Sequence, residues 1–196
     1  MNTGEAMKRH ERRRRLKAAG LVVIFAAAVC AALVPGRYPL KYFGLIRGYA
    51  GEYGLDPAFV CAVIHTESKF REDALSPKGA SGLMQITRPT ADWIAGQIGL
   101  NNYSYDGIFE PSLNIRLGCW YISWLLERYG GDEKLALAAY NAGIGNVDKW
   151  LLDPDYASGE NGLGFIPFRE TRDFVSRVAS GEKVYGVLIK IMGRFL

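Results

Sequence analysis

The sequence predicts a mainly helical domain preceded by one N-terminal transmembrane helix. Three observations lead there. An uncharged run fills Ala18 to Val34, apolar residues beyond it recur at helical spacing, and strand signals are scarce. At 196 residues, 49% hydrophobic and 12% aromatic, the chain can bury one sizeable core but is short for two. The organisation read from it is a basic cytoplasmic arm over 1–17, a membrane-spanning signal-anchor over 18–34 and a folded domain over 37–196.

The arm carries seven Lys or Arg against Glu5 and Glu11, so it holds a net +5. The whole chain is only +4, which leaves the other 179 residues at −1. A nucleic-acid footprint needs basic residues spread over a folded face, and here the excess sits in one short arm. Nucleic-acid binding is therefore not expected. The 17 residues that follow reach about 26 Å as a helix, at the short edge of a membrane span and longer than the core of a usual signal peptide. Positive charge on the N-terminal side predicts a cytoplasmic arm and an extracytoplasmic domain, a single-pass topology. Ala26-Ala27-Ala28 also fits a small-residue cleavage site, but the apolar run continues past it, which favours a retained anchor. Cys30 lacks the small preceding residue that lipidation prefers. Tyr38, Tyr42 and Phe43, interleaved with Arg37 and Lys41, suit either a membrane interface or the first contacts of the domain.

Beyond the anchor, Tyr42, Leu45, Ile46, Tyr49, Ala50 and Tyr53 keep helical spacing, and Gly54 closes the run. Asp56-Pro57 supplies an N-cap followed by proline at the first helical position. From there Val60, Val63, Ile64 and Glu67 fall at i, i+3, i+4 and i+7, which puts Glu67 on a buried stripe. A carboxyl pressed against apolar neighbours at a helix C-terminus is pushed towards its protonated form. Such a group serves as a general acid, unless its side chain simply reaches solvent or a lysine such as Lys69.

The segment Ser76 to Gln85 follows, with small residues at every position from Gly79 to Gly82. It is either a Gly-rich surface turn or a loop where backbone approaches a ligand closely. Gln85 offers an amide acceptor and two donors, which suits a neutral, hydroxyl-rich, acetamido-bearing ligand better than a phosphate. No P-loop is present. A helix is predicted from Thr90 to about Ile98, and another from Pro111 to about Tyr129. The second carries Leu113, Leu117, Trp120, Tyr121, Trp124 and Leu125 on a broad apolar face, where the aromatics read as core in preference to a sugar platform. Asp132 caps the next helix, which runs to Tyr140-Asn141-Ala142 and ends at Gly143. Asp153 to Gly164 reads as a polar loop, and Arg169 to about Ile191 as a last helix with a weak point at Ser180-Gly181. Cys61 and Cys119 lie in apolar helical patterns and read as buried thiols rather than a disulfide. With no CxxC and no histidine cluster, neither a metal nor a cofactor is expected.

Several of these segments together resemble a known family. Tyr53-Gly54-Leu55-Asp56-Pro57, Ala62 to Phe70, Ser76 to Gln85, Asn114-Ile115 with Gly118, Ala138 to Gly143, and Ile166-Pro167 with Glu170-Thr171 occur in that order. They match the catalytic domain of bacterial lytic transglycosylases of the soluble-lytic-transglycosylase type, over about Tyr42 to Val178. The resemblance implies the lysozyme-like fold with a cleft, shared with goose-type lysozymes. It implies Glu67 as sole catalytic acid and base, Ser76 and Gln85 as cleft-lining polar groups, and Tyr140 as an aromatic hydroxyl near the reacting sugar. Asn141 shapes the turn beside it, and Glu170 is a second cleft carboxylate tied to the Tyr140 neighbourhood. Thr87 stands where the family commonly has Met and Arg88 where it has Pro, changes that bear on saccharide contacts and not on the acid. The implied partner is peptidoglycan, cut between N-acetylmuramic acid and N-acetylglucosamine to leave 1,6-anhydromuramic ends. Three rivals stay open: a hydrolytic muramidase using Asp73 or Glu170 to activate water, a membrane-tethered, non-catalytic glycan-binding domain, and, with least support, a structural membrane protein in which the Glu67 region only packs.

Overall fold

The computed structural model describes residues 36–158 and 162–193. The basic arm, the 18–34 span and Cys30 lie outside the described residues, and among those that are described no helix is long and apolar enough to cross a membrane. The chain separates into two units, 1–40 and 41–196, the second of which is the helical domain.

Among the described residues, seven α-helices build that domain: α1 (Phe43–Glu52), α2 (Pro57–Ser68), α3 (Arg88–Gln97), α4 (Pro111–Arg128), α5 (Glu133–Ala142), α6 (Ile144–Leu152) and α7 (Arg169–Met192). A two-residue hairpin, β1 (Ala157–Ser158) with β2 (Gly162–Leu163), pairs antiparallel with Ala157 opposite Leu163. It falls inside the segment read as a loop. The helix ends obey local chemistry. Asp56 accepts the Ala58 N–H at 2.7 Å and Asp132 accepts the Leu135 N–H at 2.9 Å, each satisfying a donor that the first turn leaves open.

The second helix is the axis of the core. Val60 to Ile64 are all fully buried, so α2 is enclosed on every side rather than along one stripe. Helix α7 runs along it, and the two are close at Gly181: a Cβ there would stand 3.3 Å from the Ala62 Cβ. The Ser180-Gly181 weak point therefore does not interrupt α7, because the missing side chain serves interhelical packing. Helix α6 has no counterpart among the sequence expectations. Gly143, at φ 87°, ends α5 and starts α6 with no residue between them, so the stop signal conceals a start. At the domain's N-terminal edge, the Tyr42 hydroxyl donates to Glu72 and Lys41 pairs with the same carboxylate, so both serve as contacts of the domain. Cys61 and Cys119 are buried free thiols, and burial pushes the Cys61 thiol up to about 12.

Candidate active site

Helix α2 ends by delivering Glu67 to the surface of the core. The backbone then turns through two successive left-handed residues, Lys69 (φ 56°) and Phe70 (φ 62°), neither of them glycine. Backbone in this region is costly for residues with a Cβ and persists only where the surroundings hold it. Buried Phe70 is the anchor here, its ring 6.1 Å from that of buried Tyr185 on α7.

Past this bend, residues 74–86 fold on themselves. Leu75 bridges Ser81 and Ser81 bridges Ile86, each antiparallel. Asn114, fully buried on α4, pins the loop from beneath. Its side-chain oxygen accepts the Met84 N–H at 2.7 Å, while its amide donates to the Ser81 carbonyl at 3.0 Å and the Ile108 carbonyl at 2.9 Å. Two glycines make room for this arrangement. A Cβ on Gly82 (φ 78°) would meet the Asn114 amide nitrogen at 2.2 Å, and one on Gly118 would meet the Met84 sulfur at the same separation. Gln85 is itself left-handed at φ 49° and donates its amide to the Ala74 and Gly82 carbonyls at 3.1 and 2.9 Å.

These elements enclose a cleft of about 310 Å³ lined by Glu67, Ser76, Pro77, Lys78, Ala80, Gln85, Thr87, Tyr140, Asn141 and Glu170. All six residues singled out from the sequence are among them. Lys78 is a cleft residue that sequence reasoning missed, although it stands inside the Ser76 to Gln85 segment.

The chemistry of the lining differs from residue to residue. The Glu67 carboxyl receives no hydrogen bond from a protein group among the described residues, and its pKa is pushed up to about 8. Loss of hydration is the main cause; the Arg177 guanidinium on α7 pulls the other way and the Glu170 carboxylate adds to the rise. Tyr140 donates its hydroxyl to the Met84 carbonyl at 2.6 Å, and burial raises its pKa well above the ordinary value. Its proton is therefore committed to the loop, which leaves the hydroxyl oxygen only its acceptor capacity. The Asn141 side-chain oxygen accepts the Thr171 hydroxyl at 2.8 Å, which turns its NH₂ into the available donor. The Ser76 oxygen accepts the Ala80 N–H at 3.0 Å and leaves its own O–H to give.

Glu170 occupies a different setting. At 71% side-chain exposure it pairs with Lys78 at 3.5 Å across the mouth of the cleft, and it makes no hydrogen bond to Tyr140. Asp73 does not line the cleft, and Glu72 is engaged by Tyr42 and Lys41.

A helical domain wrapped around one buried helix, whose last turn delivers a carboxyl into a cleft, has the lysozyme-like architecture. The chain belongs to the transglycosylase SLT domain family, whose model matches residues 44–161. It is 33% identical over 153 residues to the soluble lytic murein transglycosylase of Escherichia coli (strain K12), covering 76% of this chain and 23% of that one. With membrane-bound lytic murein transglycosylase C of Klebsiella pneumoniae (strain 342) it shares 32% identity, over 85% of this chain and 52% of that one. Among solved structures, an inactive mutant of the lytic transglycosylase Slt from Pseudomonas aeruginosa superposes with a TM-score of 0.72 at 34% identity, covering 80% of this chain and 26% of that one. The 70-kDa soluble lytic transglycosylase in complex with bulgecin A gives the same TM-score and coverage at 30% identity. The chain spans about a quarter of the length of the soluble relatives it matches.

Proposed function

We propose that this chain is a membrane-tethered peptidoglycan lytic transglycosylase in which Glu67 acts first as acid and then as base. The observation that carries this reading is the contrast in the cleft between one carboxyl largely withdrawn from water at the end of a buried helix and a second that is exposed and ion-paired. Held protonated at neutral pH, Glu67 donates to the oxygen bridging N-acetylmuramic acid and N-acetylglucosamine as the C1–O bond breaks. The substrate's own N-acetyl oxygen stabilises the developing positive charge at C1. The Glu67 carboxylate so formed then takes the proton of the muramic C6 hydroxyl, whose oxygen bonds to C1 and closes the 1,6-anhydro ring. Glu67 ends the cycle protonated, and no water is consumed.

Glycosidases with two working carboxylates need the second as nucleophile or as base for water. Glu170 is the other carboxylate in the lining, and its pairing with Lys78 favours the single-acid route over the hydrolytic one. Ser76, Gln85, Tyr140 and Asn141 present a neutral set of donors and acceptors, which suits acetamido sugars. The tether rests on the 18–34 apolar run behind a basic arm and on the membrane-bound relative. It would hold the domain beside the inner face of the wall.

Mass spectrometry of digested peptidoglycan tests the reading. Anhydromuramic ends from the parent and none from Glu67→Gln are expected. Reducing ends would establish the hydrolase instead, and binding without turnover the non-catalytic domain.

A further inference from the structure

Helix α4 divides its apolar residues in two. Ile115, Leu117, Cys119, Ile122 and Leu125 are buried, whereas Trp120, Tyr121 and Trp124 on its flank are only half-buried, and Trp93 on α3 is 37% exposed. The four aromatic rings form one cluster, in which Trp93 is exposed and Tyr121 and Trp124 also pack against the core. Trp93 stands edge-on to Trp120 at 5.3 Å and to Trp124 at 5.0 Å between centroids, and Tyr121 stacks on Trp124 at 6.3 Å. Among the described residues the three indole N–H groups donate to no protein acceptor, and those of Trp120 and Trp124 are not sealed from solvent. An aromatic patch that keeps apolar faces and N–H donors at the surface fits a partner offering both C–H faces and hydroxyls.

Two links join the cluster to the cleft. The Tyr121 ring lies 5.5 Å from that of Tyr140, a cleft residue. Thr87, another cleft residue, is the N-cap of α3, the helix that carries Trp93.

Resting on the reading of the cleft as a glycan site, we propose that Trp93, with Trp120 and Trp124 behind it, forms a distal sugar-stacking subsite for the outgoing part of the strand. It would let the protein discriminate long glycans from short ones without touching the bond that breaks.

Calorimetric titration of the full chain in detergent tests this, with Glu67→Gln as background so that nothing turns over. The probes are the tri- and hexasaccharides of β-1,4-linked N-acetylglucosamine. Trp93→Ala should weaken the hexasaccharide about tenfold and leave the trisaccharide near its parent affinity, while Trp93→Tyr restores most of the loss. Equal affinities for the two lengths in the Glu67→Gln background, no hexasaccharide binding, or equal losses for both sugars in Trp93→Ala would overturn the subsite. So would unchanged sugar binding with lost affinity for phospholipid vesicles, which would assign the patch to the membrane surface. Because binding is read without catalysis, a lack of anhydro products would sink the lytic reading and leave this result standing.

Discussion

Two glutamates look into one cleft, and their surroundings set them apart. Glu67 stands at the end of the most enclosed helix in the domain, with no hydrogen-bond donor on its carboxyl among the described residues and its pKa near 8. Glu170 stands in the first turn of α7, largely in water and paired with Lys78. Residue type is the same, so the difference comes from hydration and neighbours. Two carboxyls can thus share a cleft and differ in how far water reaches them.

The largest effect expected from this contrast is on turnover. Glu67→Gln should cost about 10²- to 10⁴-fold in kcat, towards the upper end because one group serves both proton transfers, whereas Glu170→Gln should cost less than about tenfold. Comparable losses from both, read by release of soluble muropeptides, would break the comparison. Turnover by the parent should also decline as pH rises through about 8, where Glu67 gives up its proton.

Next in size is a stability effect that runs against activity. The folded pKa of Glu67 lies above the ordinary 4.5, so between pH 4.5 and about 8 the folded state holds a proton that the unfolded state has released. Stability from this group is full below 4.5 and is lost as pH rises to about 8, at roughly 1.4 kcal/mol per unit and a few kcal/mol at most in all. Glu67→Gln should therefore melt higher than the parent at pH 9 and about equally at pH 4, by calorimetry.

The loop facing Glu67 offers a third test. Asn114→Ala removes three buried hydrogen bonds and takes the Asn114 side chain from the Met84 N–H and the Ile108 carbonyl, while the Ser81 carbonyl keeps the Ile86 N–H. A cost of about 2 to 4 kcal/mol in denaturant unfolding is expected. The smallest effects are two opposed shifts in the Glu67 titration: Arg177→Ala should move it up and Glu170→Gln down, because the first removes an attracting charge and the second a repelling one.

Much of this arrangement was legible in the sequence, for reasons that are local. Asp56-Pro57, Asp132 and Gly143 mark helix ends because caps and turns are made by neighbours in the chain. The motif Asn114 with Gly118 was visible as a pattern, but its reason was not: the contacts are to Met84 and Ser81, some thirty residues away. Likewise nothing local shows that the Tyr140 hydroxyl is spent on the Met84 carbonyl, or that Lys78 meets Glu170. Helix α6 was hidden because one glycine closes a helix and opens the next. Periodicity marks the α4 aromatics as core, and Tyr121 and Trp124 do pack against it, but periodicity does not say how much of a helix flank stays wet.

Most direct is a carbon-detected NMR titration of the Glu67 side-chain carboxyl, assigned by comparison with Glu67→Gln. An apparent pKa near 8 is expected, with Glu67 protonated at neutral pH. A midpoint near 4.5 would mean that the cleft offers no proton at neutral pH, and would contradict it.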